Sequence, residues 1–247
     1  MGYWCTLHLF DQDKFYSETI QELKGQIGDL IPSYKEFLKN NIIGGIGHLT
    51  VKEVNEMALS QLENIYEISN SFDDSFKKHS AFHSLHNWSL QLDFIGKLKG
   101  HYEFCSFFEY YVFEKCSDFY PHIPLGKGGV ARNFELKTNT YSHNIIGNLD
   151  SWNNFFMQDT FGISNWISNE DIELLFLDKE NLKFENNEIA EAIIRFIEIA
   201  NKNKLGLLAG VDLNIDRNRL LPQNKLVSFE LWKNQNCSGL LFEYLKS

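Results

Sequence analysis

Residues 3–10 alternate Tyr3, Cys5, Leu7 and Leu9 with Trp4, Thr6, His8 and Phe10, and both series are largely apolar or aromatic. A strand exposed on one side would alternate apolar with charged residues. This one predicts a strand with both faces at least partly covered, so whatever sheet it joins must be enclosed by other elements. Further strand signals come from the last 45 or so residues. Leu205, Leu207, Ala209, Val211 and Leu213 alternate with smaller or polar neighbours, and Val227, Phe229 and Leu231 alternate with Ser228 and Glu230. Asn234–Gly239 reads as a hairpin loop ahead of Leu240–Leu245.

Helical signals fill most of the rest. Asp11 or Asp13 starts a helix to about Gly25 with Phe15, Thr19, Leu23 and Ile27 at helical spacing. Ser33–Glu36 and Thr50–Glu53 both have the Ser/Thr-x-x-Glu form of a capping box. The second precedes a helix with Val54, Ala58, Leu62, Ile65 and Ser69 on one face. Ala81, Leu85, Trp88, Leu92 and Ile95 form the seam of a helix over 75–99, with Gly100 as its stop. Residues 102–120 are so dense in aromatics that periodicity does not separate helix from strand, although length favours a helix over 103–117. Residues 121–170 are the least regular stretch, with a short helix expected around Trp152, Phe155 and Phe156. Ile172–Leu177 reads as a buried strand or short helix, and Asn187 caps an apolar helix to about Asn203. The chain is therefore expected to be one α+β domain over 1–247: a mainly helical body with a small mixed or antiparallel sheet near the two termini.

Charge limits the function. There are 33 acidic and 23 basic side chains, a net −10, and only four of the bases are Arg: Arg132, Arg195, Arg217 and Arg219. Neutralising phosphates takes clustered Lys and Arg, so nucleic acid is not the expected partner. No window reaches the ~20 apolar residues of a membrane span. The stretch MGYWCTLHLFDQDKF lacks the basic and apolar regions of a secretory signal, and Cys5, Cys105, Cys116 and Cys237 form no CxxC pair. A cytoplasmic protein with reduced thiols is expected. The acidity is segregated: residues 1–76 carry −7, residues 77–150 carry +1 and residues 151–247 carry −4. Its densest stretch holds Glu170, Asp171, Glu173, Asp178, Glu180, Glu185, Glu188 and Glu191 against Lys179 and Lys183.

Three groupings have chemical potential. His79, His83 and His86 fall within about 60° on the predicted helix and form a candidate metal site. The Glu of an HExxH motif is absent, and an ion would need a ligand from elsewhere. Gly44-Gly45-Ile46-Gly47 before a capped helix suits a helix–helix turn better than a phosphate loop. Gly126-Lys127-Gly128-Gly129 with His122, Arg132 and His143 is the most cationic irregular stretch, a surface loop or a substrate loop, but lacks the GxxxxGK[ST] order of a P-loop. No GxSxG elbow is present, Cys105 and Cys116 read as buried thiols, and Glu109 and Glu114 read as ordinary helix-face carboxylates.

In its acidity, its Asn, Lys, Ile and Phe usage, its modest length and its lack of a catalytic signature, the chain is similar to bacterial immunity proteins that neutralise partner toxins. That likeness is one of composition and aligns no residues. It implies a protein-binding protein that covers the active site of a basic toxin or effector, with no cofactor and no catalytic residues. Glu170, Asp171 and Glu173 are the first candidate contacts, with Trp152 and Trp166 as aromatic anchors. The alternative is a metal- or phosphate-dependent hydrolase built on the His-rich middle third.

Overall fold

A computed structural model describes residues 4–41, 46–72, 99–130, 141–151, 155–158 and 161–233. Residues 75–98 of the predicted helix, with His79, His83 and His86, the Gly44–Gly45 pair, Arg132, Trp152, and the hairpin loop at 234–239 with the 240–245 segment after it lie outside these residues.

The strand expected at 3–10 is β1, Trp4–Phe10. It sits inside a five-stranded sheet with β2 (Ile123–Lys127), β3 (Met157–Gln158), β4 (Phe161–Ile167) and β5 (Gly206–Val211), in the order β2-β1-β5-β4-β3. Every neighbouring pair is antiparallel. The β1–β5 register runs from Cys5 opposite Val211 to Phe10 opposite Gly206, so the sheet joins the two ends of the described chain. Pro124 lies in the edge strand β2, where its missing N–H costs no ladder bond toward a further strand.

Helices cover both faces, as the two apolar series of β1 require. The first face carries Phe10, Ile163, Trp166 and Leu208. It packs on α1, a continuous run of Gln12–Lys14, a π segment Phe15–Thr19 and Ile20–Leu23. It also packs with α2 (Ile31–Asn41), α3 (Val51–Asn70) and α4 (His101–Lys115), which share the same core. The second face carries Leu7, Leu9, Ile123, Leu125, Ile167, Leu207 and Ala209. Against it lie α5 (Tyr141–Gly147), α6 (Asn169–Leu177), α7 (Asn187–Asn203) and, through Trp232, the short Phe229–Lys233 helix. Helix–sheet–helix layering with an antiparallel sheet is an α+β fold.

Several sequence signals act as read. Asp11 accepts from the Lys14 N–H at 2.9 Å and caps α1. Thr50 and Glu53 form a reciprocal capping box at the start of α3. Others do not. α2 begins at Ile31, whose N–H is bound by Asp29, so Ser33 lies inside the helix rather than at its cap. Residues 229–233, read as strand, are helical. The irregular stretch 121–170 contributes three of the five strands, and Phe155 and Phe156 sit in a turn leading into β3 rather than in a helix. Residues 101–115 are helix, and their periodicity was masked because α4 buries side chains around its whole circumference, from Phe104 and Phe107 to Tyr111 and Phe113.

His8 lies between the sheet and α4 and is fully buried. Its Nδ1 lies 3.2 Å from the carbonyl oxygens of Asp118 and Phe119, which can only accept, so Nδ1 carries the hydrogen and Nε2 accepts from the Thr6 hydroxyl at 2.9 Å. Burial, then the neighbouring His122, holds His8 well below its ordinary value of 6.5. A base with a depressed folded-state pKa contributes stability that is present above 6.5 and lost as pH falls below it. The stability advantage of the unaltered chain over His8→Gln should therefore shrink by about 1.4 kcal/mol per pH unit below that point. Urea unfolding of both proteins across this range checks it, and parallel curves would contradict it.

Candidate interaction surface

The acidic stretch opens on α6. Ser168 caps the helix by accepting the Asp171 N–H at 3.1 Å, and Asn169 accepts the Glu170 N–H at 3.1 Å. Ile172 and Leu175 point inward and are fully buried against the second core. That inward anchoring fixes what faces solvent. Glu170, Glu173, Leu174 and Leu177, at positions i, i+3, i+4 and i+7, form a single outward stripe. Leu174 is 41% exposed and Leu177 75% exposed. The helix thus has two apolar faces, one for its own core and one without cover from the described chain.

Among the described residues most of the nearby acids are not neutralised. Lys179 folds back over the Phe176 ring and pairs with Glu198 at 2.7 Å, and Arg195 pairs with the same carboxylate at 2.9 Å. Glu198 therefore takes up both cations, and Glu170, Glu173, Glu180 and Glu185 have no ion pair among the described residues. Glu170 and Asp171 have a local role as well, because acids in a first helical turn complement the helix dipole. Glu173, Glu180 and Glu185 lie beyond that turn. At the C-terminal end, the Ser142 hydroxyl, the Asn181 amide and His143 hold Asp178 below the usual carboxylate range. This ties α6 to the start of α5, where Tyr141 is exposed beside Ser142.

The expected site residues therefore separate. Glu170 and Glu173 are exposed on the stripe, and Asp171 is half-buried beside the Ser168 cap. Trp166 is not at the surface. It is 2% exposed, with ring centroids 5.5 Å from Phe10, 5.3 Å from Phe15 and 5.6 Å from Phe156. As a residue of β4 facing the first core it is a packing residue, which corrects its reading as a partner anchor. The apolar anchors on this surface are Leu174 and Leu177, which the sequence reading passed over. Their signal was the i, i+3, i+4, i+7 pattern with Glu170 and Glu173, hidden because residues 172–177 were read only as a buried segment.

The other groupings resolve differently. At the end of the Gly126–Gly129 loop the Val130 N–H donates to the Asp150 carboxylate at 2.5 Å, so that amide is taken and a negative charge already sits beside the loop. A carboxylate in that position repels a phosphate. Its cationic neighbours do not converge either: Lys127 is exposed, whereas His122 and His143 are buried. His122 donates from Nδ1 to the Phe119 carbonyl at 2.9 Å and stacks on Tyr120. Burial pushes the Cys116 thiol up to about 12, consistent with an inert core residue. Cys105 Sγ lies 3.3 Å from His101 Nε2, a helical i, i+4 contact, but the thiol is buried and Nε2 lies 3.0 Å from the Phe155 carbonyl. Glu109 is not a helix-face carboxylate but a core one. Among the described residues no cluster of three or more His, Cys, Asp or Glu could hold a metal. No described helix is long and apolar enough to cross a membrane.

No protein-family model, curated protein or solved structure matches the chain. The surface stands on its own chemistry.

Proposed function

We propose that the protein binds a basic protein partner through the outward face of α6. The observation that carries this is the stripe of Glu170, Glu173, Leu174 and Leu177, two carboxylates without an ion pair among the described residues beside two exposed leucines, on a helix anchored by Ile172 and Leu175. Apolar anchors rimmed by one sign of charge are the make-up of an interface core and its steering field. The acids accelerate encounter with a cationic surface and set the orientation, while Leu174 and Leu177 lose water on contact and slow dissociation. In the finer reading the partner is a basic toxin or effector, its active site covered and so neutralised, and the protein works in the cytoplasm.

The test uses the unaltered chain and Glu170→Lys/Glu173→Lys as paired baits in an extract of the native cell. The expected result is a protein of net positive charge held by the first and absent from the second, and released by raised salt. Equal retention by both baits, or no basic protein held by either, would overturn the reading. Both substitutions are exposed and away from the core, and the reversal of Glu170 against the helix dipole adds to the cost, so the loss of stability should stay within about 2 kcal/mol.

A further inference from the structure

The second face of the sheet is not filled along its whole length. At the end where Cys5 lies opposite Val211, the wall is made of the small side chains of Ala209 and Ser164 and the backbone of Gly210, and a cavity of about 270 Å³ opens under Gly128–Val130 and Leu149–Asp150. An apolar cavity of about 150 Å³ admits a benzene ring, so this one has room for a ring and a short polar arm. Its walls are mainly apolar, with Leu125, Val130, Leu149 and Val211, and among the described residues no Lys or Arg lines it.

The polar character of the cavity is anionic. Asp150 is part of the wall and accepts from the Val130 N–H at 2.5 Å. A carboxylate offers about four lone-pair positions, so it can accept from a ligand in addition to the partners it has. Gly129 permits this placement, since a Cβ there would sit 2.3 Å from Asp150 Oδ1. Asp212 follows Val211 at the end of β5 and accepts from the Trp4 N–H at 2.7 Å, and it has no ion pair among the described residues. Burial first, then Asp150 and Asp212, pushes the Cys5 thiol on the same wall up to about 11, which makes it a neutral lining group rather than a nucleophile.

We propose that this cavity binds a small organic cation, an ammonium group carried on a compact apolar body, with the ammonium at Asp150 and the body against Ala209, Leu125 and Val211. The site is separate from α6 and does not depend on the proposed partner. Titrating amide NMR spectra with benzylammonium, benzyl alcohol and benzoate tests it in the unaltered protein. Benzylammonium should give saturable shifts at Gly128–Val130 and Gly210–Val211, with benzyl alcohol about tenfold weaker and benzoate weaker still. Asp150→Asn should weaken benzylammonium by about tenfold and Asp212→Asn by about threefold, while leaving benzyl alcohol unchanged. Asn tolerates the left-handed backbone at position 212, where φ is +44°, so the second variant keeps the loop intact if the first does not fold. Equal binding of the alcohol and the ammonium, shifts located elsewhere, or no saturation by about 10 mM would overturn the assignment.

Discussion

Replacing Trp166 by alanine should lower the unfolding free energy by about 3–5 kcal/mol. The indole sits on the buried face of β4 where the sheet meets α1, and it touches Phe10, Phe15 and Phe156. Those rings belong to the core that also includes Phe108 and Phe155, so removing the indole opens a void that rigid aromatics on three sides cannot close. A domain holds only about 5–15 kcal/mol in total, so the variant should melt well below the parent. Denaturant unfolding measures the loss directly. A loss under about 1 kcal/mol would mean that the ring is not packed, and would restore Trp166 as a surface anchor.

The second large effect is at Glu109, where alanine and glutamine should part company. Glu109 Oε1 accepts from the Asn214 N–H and from Asn218 Nδ2, each at 2.8 Å, and so ties the segment after β5 to α4. Beside it the buried Arg217 guanidinium donates to the Ser106 carbonyl and to Asn41 Oδ1 and lies over the Phe37 ring. Alanine orphans two buried donors, at about 1–3 kcal/mol each, for a loss of about 2–6 kcal/mol. Glutamine keeps an acceptor in place. Burial raises the Glu109 pKa more than Arg217, the Asn214 N–H and Asn218 lower it. For an acid raised on folding, the native state holds the proton more tightly than the unfolded chain does. Its contribution to stability is therefore fullest below the ordinary value of 4.5 and falls as pH rises through the folded-state value. Glu109→Gln should match the parent at low pH and exceed it at neutral pH, whereas Glu109→Ala should be weaker throughout. Unfolding of the three proteins at acidic and neutral pH reads both effects, and a glutamine variant as weak as the alanine variant at neutral pH would contradict the assignment.

The sequence was most legible where one local rule dominated. β1 showed both its extent and its need for two covering layers, because no charged side chain interrupts either series. α3 was marked by its capping box and one apolar face, and α7 by the apolar run that ends near Asn203. It was least legible where tertiary contacts carry the structure. β4 reads FGISNWI, with Asn165 in a buried strand because its amide reaches the Asn148 carbonyl and the Ser151 hydroxyl, a pairing that no window of sequence contains. β5 is buried on both sides although it holds Gly206 and Gly210, and its strength comes from β1 and β4 on either side. Of the candidate surface, the acids were readable as charge and the leucines were not, because exposure of Leu174 and Leu177 follows from which face of α6 meets the sheet. Glu109 looked like one more helical acid for the same reason: only the fold places Asn214, Arg217 and Asn218 around it.

The central claim is that the outward face of α6 is the binding surface. It is tested most directly by the equilibrium affinity of the basic protein held by the unaltered chain, measured against that chain and against Glu173→Lys/Leu177→Asp. The account predicts a loss of about a hundredfold or more, a weaker salt dependence for the variant, and unchanged unfolding of the variant alone. Equal affinity for the two proteins would contradict it.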